Sequence, residues 1–200
     1  MTEPAFKSVF GDAWKTLPPV IHKRYSNNRY SDDISQSKGL VDVDFSWLFR
    51  IISPFCNLFK ILVPYRGRDI PLTVSYISKP DSKATYFHRV FSFPNKKPYL
   101  FKASMLPTRD NEVIEFMNLG IGWKMYYTYD GESVKLNHKG YVWRVFGRLI
   151  PIPLGLFLGE GYAEETPVSN DEFFLKMGLK HFLFGDVFSV KGQFRMVSDE

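Results

Sequence analysis

Residues 173–183 read FFLKMGLKHFL. Phe173, Leu175, Met177, Leu179, His181 and Leu183 fall on one face of an extended strand, while Lys176 and Lys180 fall on the other. A period of two is the mark of a strand with one buried and one wet face, as in antiparallel sheets. Similar alternation recurs through most of the chain after residue 70. The protein is therefore read as mainly a curled antiparallel sheet.

Upstream, Ile70, Leu72, Val74 and Tyr76 alternate with Pro71, Thr73 and Ser75, and Lys79-Pro80-Asp81-Ser82 makes a turn. Further strands are predicted over 85–93, 99–106, 112–117, 122–129, 132–138 and 141–146. Asp130-Gly131 is a two-residue hairpin signal. In Leu149-Ile150-Pro151-Ile152-Pro153-Leu154 the alternate prolines suit an extended edge rather than a central strand. The last three strands are predicted over 158–166, 172–183 and 187–197.

The first third differs. Phe6, Phe10, Trp14, Leu17 and Ile21 recur at helical spacing, which predicts a helix over 6–24. Pro18-Pro19 must break it, with Pro19 free to sit in the first turn of a second piece. Residues 27–33 form a polar turn, and 38–44 suggest a first strand. Over 45–65, Ser46, Arg50, Ser53, Asn57 and Lys60 form a narrow polar stripe on an otherwise apolar helix, which Ser53-Pro54 divides. Such a helix either packs on the sheet or lies on a membrane surface.

The chain of 200 residues is long enough to bury a core without disulfides, and its one cysteine, Cys56, has no intramolecular partner. A reducing, cytoplasmic setting is expected, with no secretory signal in MTEPAFKSVF. No apolar run approaches the roughly 18 residues of a membrane span. A net charge of +5, scattered among acids, does not form the basic stripe of a nucleic-acid binder, but it suits contact with an anionic membrane surface. The 19 Phe, 11 Tyr and 4 Trp fit either an aromatic-rich core or a cavity with aromatic walls.

Two polar groups interrupt apolar strand faces. Arg89 shares its face with Phe87, Phe91 and Phe93, so it must stack on rings, pair with a carboxylate or face a cavity. His181 is either a hydrogen-bonded core residue or a ligand contact. Glu160 and Glu164 share a face with Leu158 and Tyr162, opposite Gly161 and Glu165, and either could pair with Arg89 or Arg144. Phosphate loops and nucleophile elbows are absent. Four isolated histidines and one cysteine offer no local metal spacing, so neither cofactor nor metal is expected.

Phe10-Gly11-Asp12-Ala13-Trp14-Lys15-Thr16-Leu17-Pro18-Pro19, followed by His22, resembles the start of bacterial domain-of-unknown-function family 4166. Arg89-Val90-Phe91 is similar to that family's Trp-x-Arg-x-Phe strand, with Phe87 in place of the tryptophan. Leu149 to Leu154 is similar to its Leu-Pro-Leu-Pro element, and Glu164, Leu183-Phe184-Gly185, Gly192 and Phe194 fit its closing portion. The family occurs at the C-terminal ends of some saccharopine-dehydrogenase-like proteins and in certain multi-pass membrane proteins, and it has no established activity. The resemblance implies association with a reductase partner that would carry any nucleotide.

The expected fold is α+β in a single domain spanning 1–200. A mainly helical part (1–66) packs on a long curved antiparallel sheet (67–200), which closes in part as a helix-grip or lipocalin-like cup. The leading functional expectation is a module that binds an apolar or amphipathic small molecule such as a lipid. Arg89 and His181 would orient it, Trp123, Tyr127 and Trp143 would line the walls, and Glu164 would stand beside them. The alternatives are an interaction domain docking on a reductase or membrane through 45–65, and an enzyme assembled from Arg89, Glu164 and His181.

Overall fold

A computed structural model describes residues 3–47, 49–51, 53, 54, 60 and 62–197. Cys56, Asn57 and much of the predicted 45–65 helix lie outside the described residues. Trp47, Phe49, Arg50, Ile51, Ser53 and Pro54 are helical.

The N-terminal stripe forms three short pieces rather than one helix. Helix α1 (Lys7–Phe10) ends at Gly11, whose φ of 54° and ψ of −127° are open only to glycine. A 3-10 segment (Gly11–Thr16) follows, and Pro18 and Pro19 then open α2 (Pro19–Arg24).

The sheet begins within the first third of the chain. Strand β1 (Ile34–Phe45) is followed by β2 (Gly67–Lys79), β3 (Ser82–Phe91), β4 (Tyr99–Pro107), β5 (Glu112–Phe116) and β6 (Ile121–Tyr129). Then come β7 (Val134–Val145), β8 (Arg148–Ile152), the short helix α3 (Gly155–Leu158), β9 (Glu160–Pro167), β10 (Glu172–His181) and β11 (Gly185–Val197). The Asp130-Gly131 hairpin has a four-residue connection, because the Asp130 carboxylate accepts the N–H groups of Glu132 and Ser133.

All pairings are antiparallel, and the β1–β11 and β6–β7 pairs complete a ring of ten strands. The expected long curved sheet is therefore a closed barrel, and among the described strands only β8 stands outside the ring as an edge. Closure removes the unpaired edges that an open sheet would expose. The alternation read in 173–183 holds along β10: Phe173, Leu179 and His181 are buried, and Leu175 and Met177 line interior cavities. Leu183 lies past the strand, exposed.

The N-terminal helical pieces do not lie on the sheet as a layer. They plug one end of the barrel, where Phe6, Phe10 and Tyr25 close around Tyr127 with ring centroids 5.7, 5.8 and 6.0 Å away. Each fully buried aromatic of this kind contributes about 1.5–3 kcal/mol. The opposite end is the rim. It carries the connections after β1, β3, β5, β7, β8 and β10.

One seam of the barrel is incomplete. Strand β7 pairs with β9 only over Val134–Asn137, and beyond a distortion at Gly140 its Tyr141–Val145 portion pairs with β8 instead. The wall therefore splits between β7 and β9 on the rim side, and the β8–α3 connection covers the split.

Candidate functional site

The plugged half of the interior is electrostatically saturated. Arg24, from the last turn of α2, donates through Nε and Nη2 to the two carboxylate oxygens of Glu165 at 2.9 and 2.6 Å, and through Nη1 to the Tyr76 hydroxyl. Tyr25 donates to the same carboxylate at 2.8 Å, and Ser37 meets the Tyr76 hydroxyl at 2.7 Å. The guanidinium also lies 4.8 Å from the rings of Tyr76 and Phe173. Burial opposes its charge, but Glu165 and Tyr25 together outweigh burial and hold Arg24 above its ordinary pKa. Burial and the same carboxylate push the Tyr25 hydroxyl up. Burial also raises Tyr127, whose hydroxyl meets the Met105 sulfur at 3.5 Å. This network ties the plug to β9.

Nearer the rim the interior is looser. A cavity of about 70 Å³ is walled by Phe101, Met117, Ile121, Trp123, Tyr141 and Leu179, with Leu62, Leu154 and Leu158 contributing from the rim loop and from the β8–α3 region. A second cavity of about 40 Å³ lies deeper and touches Arg24, Arg89 and Glu165. Glu115, Trp123 and Met177 line both. Arg89 Nη1 donates to Glu115 Oε1 at 2.7 Å, and its guanidinium lies 5.2 and 5.4 Å from the rings of Phe87 and Phe101. That is one hydrogen bond, against three from Arg24.

The split seam forms one cavity wall. The indole N–H of Trp123 donates to His138 Nδ1 at 3.0 Å, and the Gly161 N–H approaches the same nitrogen at 3.4 Å. Burial lowers the His138 pKa, against a smaller opposite effect of Glu160. A Cβ built on Gly161 would stand 2.6 Å from the Trp123 ring, so only glycine admits the indole there. The Tyr141 hydroxyl donates to the Gly159 carbonyl at 3.0 Å across the split. Burial raises the pKa of that phenol.

The residues expected to form a site are only partly brought together. Arg89 and Trp123 line cavities. Tyr127 lies under the plug, away from the lining of both. His181 sits at the rim, where its Nε2 meets the Leu156 carbonyl at 3.0 Å and its Nδ1 accepts the Leu183 N–H at 3.1 Å, which latches α3 to β10. Trp143 is 46% exposed, past the end of β9, and donates to the Leu119 carbonyl. Glu164 faces outward and accepts from Ser133 at 3.0 Å. Neither Glu160 nor Glu164 meets Arg89; Glu115 does. Arg144 lies over Phe116. Arg89, Glu164 and His181 therefore form no common cluster.

Sequence reasoning missed Arg24, Glu115, His138 and Glu165. Arg24 follows Leu17 and Ile21 at helical spacing, which was a usable signal. Glu115 shares parity with Val113, but Ile114 and Phe116 mark the opposite face as apolar, and they form an outer cluster with Val142. Among the described residues, no group of three or more His, Cys, Asp or Glu is arranged to hold a metal ion, and no helix is long and apolar enough to cross a membrane.

Comparison with known proteins adds a family but no activity. The chain is 22% identical over 187 residues to the uncharacterized protein YndH of Bacillus subtilis (strain 168), covering 90% of each chain. Residues 17–194 match the family described as domain of unknown function DUF4166. With the match extending from just before α2 to the last barrel strand, the chain belongs to the DUF4166 family.

Proposed function

We propose that the barrel binds a small apolar or amphipathic molecule in the rim-side cavity, with the Arg89–Glu115 pair meeting its polar end. The observation that carries this reading is that pair: a buried, singly hydrogen-bonded ion pair at the meeting point of two cavities with otherwise mostly apolar walls. Buried charge is costly unless well paired, and the plugged half shows how completely this barrel can pair one. Arg89 keeps donor capacity that an oxygen of a bound molecule would use.

The cavities are small. An apolar cavity of about 150 Å³ accepts benzene, so the rim-side cavity holds a smaller fragment, or the tip of an acyl chain, until something moves. Met177 lines both cavities, and an unbranched thioether adapts readily. Leu154 and Leu158 belong to a connection that lies over the split seam instead of being woven into it. Both features support uptake from the rim.

The test combines native mass spectrometry of the purified protein with solvent extraction, followed by titration with a fluorescent fatty acid. A co-purifying small molecule, or saturable probe binding at one site that Met177→Trp abolishes without loss of the fold, is the expected result. A clean apo mass together with no saturable binding would sink the proposal.

A further inference from the structure

The rim carries large apolar side chains that the barrel does not bury. Phe146 is fully exposed, Phe182 is 73% exposed, Phe157 70%, Leu183 69%, Trp47 65% and Leu156 64%. They come from four connections that the strand registers bring to the same end: Phe45 pairs with Phe188, Val145 with Arg148, Lys180 with Glu160, and His181 with Gly185. The patch is partly continuous, since Trp47 meets the Phe184 ring at 6.2 Å and His181 joins Phe182 and Phe184. Soluble surfaces rarely gather so many large apolar groups.

Phe146 adds a second observation. It occupies the tight turn between β7 and β8 with φ of 47°, followed by Gly147 at 77°. Turns of this kind favour Asn, Asp or Gly, because positive φ is costly for a bulky side chain. A phenylalanine placed there, with no contact to stabilise it, spends stability on an outward projection.

The charge around the patch selects the partner. Arg144 and Arg148 flank Phe146, Arg50 stands between Trp47 and Ile51, and Lys180 precedes the exposed 182–184 loop, all of them exposed. Against these stand Glu160 and Asp186, while Asp44 is occupied by Arg66 at 3.2 Å. Apolar projections ringed by a cationic excess match the interface of an anionic bilayer, where acyl chains lie beneath phosphate.

We infer that the rim is a docking surface for anionic lipid bilayers, into which Phe146, Phe157 and Phe182 insert. This goes beyond the cavity reading and stands independently of it. Where both hold, α3 links them: Leu154 and Leu158 face the cavity while Leu156 and Phe157 face outward, so a bilayer would act directly on the cover of the split seam.

Trp47 and Trp143 report the event, because they are 65% and 46% exposed at the rim while Trp14 and Trp123 are 8% and 7% exposed. Co-sedimentation should show binding to vesicles of equimolar phosphatidylcholine and phosphatidylglycerol, but much weaker binding to phosphatidylcholine alone. Tryptophan emission should shift to the blue, and brominated acyl chains should quench it. Removing a surface cation costs about fivefold in affinity for such a surface, so Arg148→Ser with Lys180→Ser should weaken binding by more than tenfold. Phe146→Ser with Phe157→Ser and Phe182→Ser should abolish it while the melting temperature stays near wild type. No binding, binding indifferent to lipid charge, or binding kept by the triple variant would overturn the inference. So would a dimer that the triple variant dissociates in the absence of vesicle binding, which would assign the rim to a second copy of the chain.

Discussion

His138 shows how much chemistry a single buried acceptor can determine. Its Nδ1 accepts from Trp123 and from the Gly161 backbone, so the ring must be neutral at that nitrogen. Burial lowers its pKa below the ordinary value of 6.5. The unfolded chain therefore binds this proton more readily than the folded one, and the neutral ring's contribution is complete above about pH 6.5. It is lost progressively as pH falls from there through the lower folded value. Urea midpoints should fall on acidification through that window, and less steeply in His138→Gln. His88, lowered by burial and by Lys102 and Lys79, leaves a residual slope in both proteins. Equal slopes in the two proteins would show that His138 does not titrate with unfolding. Because the same hydrogen bonds hold the cavity wall, probe affinity should drop over the same pH range.

Among the elements, α2 does most to explain how the plug end of the barrel is closed. Six residues long, it is too short to be stable alone, and its place is fixed by the side chain it inserts. Breaking a buried pair from one side leaves an unpaired charge and costs about 3–5 kcal/mol, whereas replacing both partners with apolar groups costs far less. Glu165→Leu should thus lose that much, while Arg24→Met with Glu165→Leu should recover most of it in denaturant unfolding. Additive losses would mean that the pair is not what ties α2 to β9. The same elements show what sequence makes legible. Strand β10 could be read directly, because Phe173, Leu179 and His181 alternate with polar or outward groups. Strand β9 misled, because its inward face is Gly161, Ala163 and Glu165 while its bulkier Tyr162 points out. Bulk marks the buried face only where the core has room for it, and here the Trp123 indole already occupies that space. The ring closure, the Arg24–Glu165 pair and the split seam depend on register between strands distant in sequence, and alternation carries no register.

At the scale of the whole molecule, closure and opening are assigned to different seams. The β1–β11 pairing that joins the first and last strands runs over ten residue pairs, from Gln36 with Val197 to Phe45 with Phe188. The β7–β9 pairing has four, and among the described residues its rim side is covered by an edge strand and one turn of helix. Opening energies follow local pairing and burial, so the protein should not open uniformly. In hydrogen exchange read by mass spectrometry, peptides from β1 and β11 should exchange only with global unfolding. Peptides covering 146–160 should exchange first, with the Gly161 region next. The barrel would then be a rigid ring with one gated slot rather than an evenly breathing cup. If a bound fatty acid enters through that slot, it should slow exchange at 153–161 and leave β1 and β11 unchanged. Exchange that is fastest at β1–β11 would place the weak seam where the first and last strands meet, and entry would have to be sought there instead.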